Sequence, residues 1–118
     1  MKQEEKDLLL KDLCSRLPYF TKVQIKNEIV VLDSICDDDG YHFNFIGDDR
    51  EGVNIEEIKP YLFPLSSMTE EQKEDMIKSS CGIGSDKNVF DWYNKNHFDY
   101  RGLIPMGLAN DATGLNIY

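Results

Sequence analysis

Residues 21–58 alternate apolar and polar side chains, and this pattern constrains the possible folds more than any other feature of the chain. Val23 and Ile25 alternate with lysines and a glutamine, and Phe43 and Phe45 alternate with polar residues. Successive side chains of a strand point to opposite faces of a sheet, so the alternation predicts strands with one face on a core. Four or five short strands joined by tight turns predict a small, strongly curved antiparallel sheet.

The sheet could close or stay open, and the sequence leaves both forms possible. An SH3-like barrel would remove the edge strands, whereas an open meander would be covered by the first helix. The run from Ile29 to Leu32 is continuously apolar, which is typical of a strand buried on both faces. Polar loops are expected at residues 37–40 and 47–52, where glycines permit tight turns.

Residues 3–17 are predicted to form the N-terminal helix, which Pro18 ends. One helical face is expected to lie on the core, with Cys14 as a small core residue. The residues of that face are Leu10, Leu13, Cys14 and Leu17.

The C-terminal half is predicted to be helical and irregular. Pro60 and Pro64 bracket an expected extended connector, and a capping box from Thr69 to Gln72 opens an exposed helix over 70–79. A further helix over 87–96 and a terminal strand over 115–118 complete the α+β fold. That second helix is expected to bury Val89, Phe90, Trp92 and Tyr93. We expect a single domain over 1–118, with helix and sheet in 1–65 and the helical and irregular part in 66–118.

Charge and hydropathy limit the environment and the partners. The chain carries 22 acids against 13 bases, for a net charge of -9. Direct nucleic-acid binding is not expected, because such binding releases counterions from phosphates to lysine and arginine. The acidic surface either keeps the protein soluble, the favoured interpretation, or imitates nucleic acid and occupies a basic partner. The acidic N-terminus lacks signal-peptide character and no apolar run has membrane length, so we expect a cytoplasmic protein outside any membrane.

Motifs that could carry a metal or a cofactor are weak. Acids at 37–39 and near Asp48 could supply oxygen ligands, but their spacing matches no EF-hand, so we expect no metal. The glycines of residues 81–85 lack the spacing and lysine of a phosphate-binding loop, so no cofactor is expected. Cys81, His97 and Asp99 supply the residue types of a thiol triad, although residue types alone do not make one.

The segment after the second C-terminal helix is rich in aromatic and charged residues. His97, Asp99, Tyr100 and Arg101 form the candidate interaction surface, since tyrosine and arginine are enriched at binding hot spots. Alternatively, Asp99 and Arg101 tie down an irregular segment whose apolar residues pack on the core. We favour this second interpretation, which also places Trp92 in the core.

Two segments carry a resemblance to known proteins. Residues 59–71 read KPYLFPLSSMTEE and residues 94–105 read NKNHFDYRGLIP. Both resemble a family of small proteins from prophages and mobile elements of Bacteroides-type gut bacteria, to which no activity is assigned. The resemblance implies mobile-element cargo and carries over no catalytic residue.

The expected function is therefore a non-catalytic protein-binding accessory of a phage or mobile element, with an unknown protein partner. The alternative is an acidic, nucleic-acid-mimicking inhibitor of a host nuclease or DNA-binding protein. A small enzyme with a Cys/His site comes third.

Overall fold

The computed structural model describes residues 1–37, 40–79 and 85–118, with side chains of 85 and 86 excepted, and confirms an α+β fold. Three α-helices and three single 3-10 turns lie in these ranges. The helices are α1 Gln3–Ser15, α2 Glu70–Ser79 and α3 Ser85–Lys95, and the 3-10 turns are Leu17–Tyr19, Ile55–Glu57 and Leu65–Ser67. The strands are β1 Lys22–Ile25, β2 Glu28–Asp37, β3 Tyr41–Phe45, β4 Ile58–Pro64, β5 Phe98–Asp99 and β6 Asn110–Asp111.

The sheet is open and mixed. Its strand order is β3-β2-β1-β4-β5, and β6 also pairs with β4. The strands β1 to β4 pair antiparallel, as the sequence pattern predicts. Of the two forms that the sequence leaves possible, the SH3-like closure is not formed and the sheet is open. It is not wholly antiparallel, because β5 and β6 run parallel to β4. The chain leaves β4, passes through α2 and α3, and returns as β5, which therefore runs in the same direction as β4.

The segment between Pro60 and Pro64 is extended as predicted, but it is a strand of the sheet and not a connector. Tyr61 and Leu62 are buried in β4, which lies between β1 and the short strands β5 and β6. Within the described residues, Pro60 pairs with β1 on one side only, because the pairing with β6 begins at Tyr61. A proline, which has no backbone N–H, is tolerated at such a position.

The predicted sheet positions Val23, Ile25, Phe43 and Phe45 are all buried in the core. The expectation for the apolar run is wrong, since Ile29 is 50% exposed and Val31 is only half-buried. One face of β2 is therefore open to solvent at this end, and the run from Ile29 to Leu32 is not buried on both faces.

Helix α1 packs on the core through Leu13 as predicted, with Leu10 and Leu17 partly buried against it, but its buried face also includes Leu9. Cys14 is exposed, which corrects its assignment to the core. The inward face carries Leu9 and Leu13 together with a buried ion pair between Asp12 and Arg16. Asp12 and Arg16 hydrogen-bond to each other, Asp12 also to Arg101 and Arg16 also to the Phe98 carbonyl, and these contacts offset part of the cost of burying the two charges.

Helix α2 has its predicted bounds of 70–79, and α3 begins and ends close to the predicted 87–96. The Thr69 backbone N–H donates to Gln72 Oε1 at 2.8 Å, and the Gln72 N–H donates to Thr69 Oγ1 at 3.2 Å, which confirms the capping box. Helix α2 buries no residue. In α3, Trp92 is buried as expected, but Phe90 is 49% exposed and corrects the prediction.

The expected terminal strand over 115–118 does not form, and β6 lies at 110–111 instead. Tyr118 contacts the sheet through its side-chain hydroxyl, which hydrogen-bonds to the backbone of Lys22 in β1 and of Tyr61 in β4. Within the described ranges, no helix combines the length and the apolar character needed to cross a bilayer.

Candidate functional site

The chain after α3 is fixed by its backbone and by a buried aromatic stack. His97 takes a left-handed conformation, with φ of 64°, and thereby ends the helix. Its carbonyl accepts a hydrogen bond of 2.8 Å from the Phe63 N–H in β4. Phe98 then stacks on Trp92 with ring centroids 5.5 Å apart. This segment is therefore held against both the sheet and α3.

Two of the four candidate interaction residues are inside the fold. His97 is 9% and Asp99 6% exposed. The Asp99 carboxylate accepts hydrogen bonds of 2.9 Å from the backbone N–H groups of Leu103 and Ile104. Asp99 thus caps an irregular turn, as the structural interpretation of the sequence expects.

His97 stays neutral inside the protein. Burial and, to a smaller extent, the positive charges of Arg16 and Lys22 together lower its pKa from 6.5 to about 4. Among the described residues, His97 Nδ1 has no hydrogen-bond partner. In this conformation only Tyr100 and Arg101, of the four candidates, reach the surface.

Tyr100 and Arg101 belong to a larger group that we call the aromatic–arginine surface: Phe90, Tyr93, Tyr100 and Arg101. The Tyr100 ring lies 5.2 Å from the Phe90 ring and 5.6 Å from the Tyr93 ring, between centroids. The Arg101 guanidinium lies 4.6 Å from the Tyr100 ring centroid, within cation–π range. Helix α3 supplies two of these side chains and the segment after β5 supplies the other two.

A buried charge network fixes the arginine of this surface. Asp12 Oδ1 accepts from Arg101 Nη1 at 2.7 Å, and Asp12 Oδ2 accepts from Arg16 Nε at 2.9 Å. The side chains of Asp12 and Arg16 are fully buried. Arg101 Nη2 also donates to Ser15 Oγ at 3.2 Å. Two guanidinium groups thus share one carboxylate.

The sequence analysis missed Asp12 and Arg16. Their spacing of four residues within a helix was the available signal, because such residues face each other on one side. Charged residues are rarely fully buried, so this spacing alone does not predict a core position. Nothing in the sequence identified Arg101, which lies 89 positions beyond Asp12, as the third member.

The arrangement has the composition of a binding surface. Tyrosine and arginine are the residues that carry most binding energy at protein interfaces. Aromatic rings held by packing lose little conformational freedom when a partner covers them. The stacked rings and the twice-bonded guanidinium therefore form a surface that is already ordered before a partner arrives.

Of the three residues that supply the types of a thiol triad, the structure describes only His97 and Asp99. Cys81 lies outside the described residues, as do residues 81–84 of the weak phosphate-loop match over 81–85. Both oxygens of Asp99 accept from backbone amides, and the Nδ1 of His97 has no partner within the described chain, so Asp99 does not orient that ring.

No group of three or more metal-binding side chains occurs within the described residues. Asp38 and Asp39, part of the acidic run weighed for calcium, lie outside them. The Asp48 carboxylate accepts from Arg50 Nε at 2.9 Å, and this hydrogen bond lowers the pKa of Asp48. An arginine thus occupies the position that a cation would need.

Comparison of the chain with protein-family models, curated proteins and solved structures finds no match.

Proposed function

We propose that the chain is a non-catalytic protein-binding accessory of a phage or mobile element, and that its partner docks on the aromatic–arginine surface. One observation carries the proposal: Phe90 leaves 49% of its surface in solvent while its ring packs against Tyr100. An exposed but immobilised ring beside an arginine is what a binding hot spot requires. The phage or mobile-element origin is supported by the resemblance of residues 59–71 and 94–105.

The chemistry of the surface defines the partner's contact residues. The faces of Phe90 and Tyr93 favour an apolar or aromatic side chain, whose burial supplies most of the binding free energy. Arg101 has five N–H donors and uses one toward Asp12 and one toward Ser15. The remaining donors favour a carbonyl or carboxylate oxygen next to the apolar side chain of the partner.

Affinity purification with matched variants tests the proposal. Tagged wild-type protein, Phe90→Ala and Phe20→Ala are expressed in the native host, and captured proteins are quantified by mass spectrometry. Phe20 is 64% exposed and is no member of the surface, so its variant controls for loss of an exposed ring. We expect Phe90→Ala to reduce capture of the specific partner by about tenfold, which is the effect of losing about 1.4 kcal/mol.

Both variants should still melt cooperatively near the wild-type temperature, because about half of the Phe90 side chain and more of Phe20 lie in solvent. Equal capture by wild type and Phe90→Ala would contradict docking on this surface. Loss of capture with both variants would show a general requirement for exposed rings, and that result also contradicts the proposal.

The second candidate is an acidic inhibitor that mimics nucleic acid, and the net charge of -9 favours it. Such a complex with a basic nuclease or DNA-binding protein would weaken steeply as salt is added, because screening shortens the reach of surface charges. Docking on aromatic rings would change little with salt. Capture of a basic nuclease that is lost at high salt and unaffected by Phe90→Ala would favour mimicry.

An enzyme with a Cys/His site is the third candidate and receives the least support. It requires His97 to take protons, whereas burial and the nearby positive charges hold the pKa of His97 at about 4. A general base works best with a pKa near the working pH.

A further inference from the structure

A cleft of about 340 Å³ is lined by residues of α2, of α3 and of the 3-10 turn Leu17–Tyr19. Its volume falls at the lower end of the range for small-molecule sites, which is about 300–1,000 Å³. The described side chains that line it are polar or charged, apart from those of two aromatic residues. The cleft therefore suits a small ligand that forms hydrogen bonds.

One face of α3 forms a wall of this cleft. Its residues recur at the spacing i, i+3, i+4, i+7 and i+8, which places them on a single side of the helix. A helix face with this spacing is usually apolar, whereas four of these five side chains are polar. They are Asn88, Asp91, Trp92, Lys95 and Asn96.

The opposite side of α3 carries the rings of the aromatic–arginine surface. Phe90 and Tyr93 lie two and five positions after Asn88, so they point away from the cleft. The cleft and the aromatic–arginine surface are therefore separate, and the inference does not depend on the proposed function.

Asp75 of α2 is fixed within the cleft by a tryptophan of α3. The Trp92 indole N–H donates to Asp75 Oδ2 at 2.8 Å. Trp92 is 5% exposed and stacks on Phe98, so its own position is set by the core. Ser79, the other lining residue of α2, lies four positions after Asp75 and therefore on the same side of that helix.

Several lining groups have hydrogen-bonding capacity that the fold does not use. The side chains of Ser79, Asn88 and Lys95 make no hydrogen bond or ion pair with another residue in the part of the chain that the structure describes. The Asn96 amide donates to the Trp92 carbonyl at 2.9 Å, and its oxygen remains available. Amides and hydroxyls can donate and accept, whereas a lysine can only donate.

The charges in the lining favour a neutral ligand. Asp75 and Asp91 would oppose an anion, and Lys95 would oppose an amine, because like charges at a contact oppose association. A hydroxyl group can donate to a carboxylate and can equally accept from an ammonium. Tyr19 is half-buried and offers an aromatic surface on which the carbon atoms of a ligand can pack.

We propose that this cleft binds a neutral polyhydroxylated molecule of about the size of one sugar ring. Its hydroxyl groups would donate to Asp75 and Asp91 and accept from Lys95 and Asn88. Its carbon atoms would pack on Tyr19. A ligand of this size makes few contacts, so the expected dissociation constant is in the millimolar range.

The single tryptophan makes the proposal directly testable. Trp92 is the only tryptophan of the chain, so its indole N–H gives one side-chain NMR signal from the wall of the cleft. The ¹⁵N-labelled full-length protein is titrated with D-glucose, D-galactose and D-mannose. We expect a saturable shift of this signal with at least one sugar, at a Kd of about 1–10 mM. Cyclohexanol, which has a ring of six atoms and one hydroxyl, should bind at least about tenfold more weakly.

Matched variants locate the binding site. Asn88→Ala and Lys95→Ala should each weaken sugar binding at least about threefold, since each removes a hydrogen-bonding group from the cleft. Both variants should fold normally, because neither side chain bonds to another described residue. The controls Asn27→Ala and Lys11→Ala replace the same residue types at exposed positions outside the cleft and should bind sugar like the wild type.

Two charged derivatives of glucose test the choice of ligand class. Glucosamine and glucose 6-phosphate should both bind more weakly than the neutral sugars, and tighter binding of either would overturn a neutral ligand. An indole signal that shows no saturable shift with any of the three sugars up to about 100 mM would overturn the site itself. Equal weakening by the cleft variants and by their controls would have the same consequence.

Discussion

His97 stacks on Tyr118 with ring centroids 3.7 Å apart and planes 13° from parallel. The Tyr118 hydroxyl donates to the Tyr61 carbonyl at 2.8 Å and accepts from the Lys22 N–H at 2.8 Å. One tyrosine thus joins β1, β4 and the residue that ends α3. Lys22 Nζ also donates to the carbonyl of Ile117. The stack explains how an imidazole is accommodated in the interior as a neutral ring.

Stability should fall as the pH drops from about 6.5 to about 4 because of His97. Its pKa is about 4 in the folded protein and 6.5 for an ordinary histidine, so the unfolded chain binds the proton first. In this window each pH unit lowers the free energy of unfolding by up to about 1.4 kcal/mol. Between pH 7 and pH 4 the loss from this group should reach about 2–3 kcal/mol, measured by urea denaturation.

The variant His97→Gln isolates this contribution. It should be less stable than wild type at pH 7, yet its stability should change less between pH 7 and pH 4. His42→Gln, at an exposed position of β3, controls for the loss of a histidine. A wild-type pH profile that matches that of His97→Gln would mean that the imidazole is already protonated or solvated in the folded protein.

Replacing Asp12 should destabilise the protein strongly. Asp12→Asn removes the charge that compensates Arg16 and Arg101, and a buried charge without its partner costs about 3–5 kcal/mol. Asp91→Asn breaks an exposed pair with Lys87 at 3.3 Å and should cost about 0.5 kcal/mol or less. Chemical denaturation of both variants gives the comparison. A cost below about 1 kcal/mol for Asp12→Asn would show that other groups solvate the two arginines.

The same network shows where prediction from the sequence ends. Alternation and capping are local patterns, so the β1 to β3 strands and the capping box at Thr69 could be predicted. The inward face of α1 could not, because Asp12 and Arg16 look polar until Arg101 and the Phe98 carbonyl are known to satisfy them. Strands β5 and β6 have two residues each, which is too short for any periodicity.

The candidate surface was predictable in part. Tyr100 and Arg101 were identified by residue type, whereas His97 and Asp99 share the same segment but point into the fold. Phe90 was assigned to the core because a helical face with aromatic residues usually packs inward. In the protein its neighbour Tyr100 covers one side of the ring and leaves the other in solvent.

Phe43→Ala should cost about 3–5 kcal/mol of stability, the range for removing a buried phenylalanine. Phe43 is 6% exposed and belongs to the core, whereas Tyr41 in the same strand is 52% exposed. Tyr41→Ala is therefore the matched control and should cost about 1 kcal/mol or less. Denaturant titrations of the two variants measure the difference. A loss below about 1 kcal/mol for Phe43→Ala would mean that the core does not depend on this strand.

Truncation after Asn96 should unfold the protein rather than only abolish binding. The deletion removes β5 and β6 and the buried side chains of Phe98, Leu103 and Leu108. It also leaves Asp12 with one arginine and exposes Trp92, which loses its stacked ring. The expected loss exceeds the stability of a typical domain, about 5–15 kcal/mol. Thermal unfolding followed by circular dichroism should therefore show no cooperative transition.

Truncation after Gly114 is the control for this experiment. It removes Tyr118 and its stack on His97 but keeps β5, β6 and the buried leucines, so it should melt cooperatively at a lower temperature. If the protein truncated after Asn96 keeps a cooperative melt and loses only its partner, residues 97–118 act as a recognition arm. If both truncated proteins lack a cooperative transition, the contacts of Tyr118 are essential for folding even when the buried leucines are present.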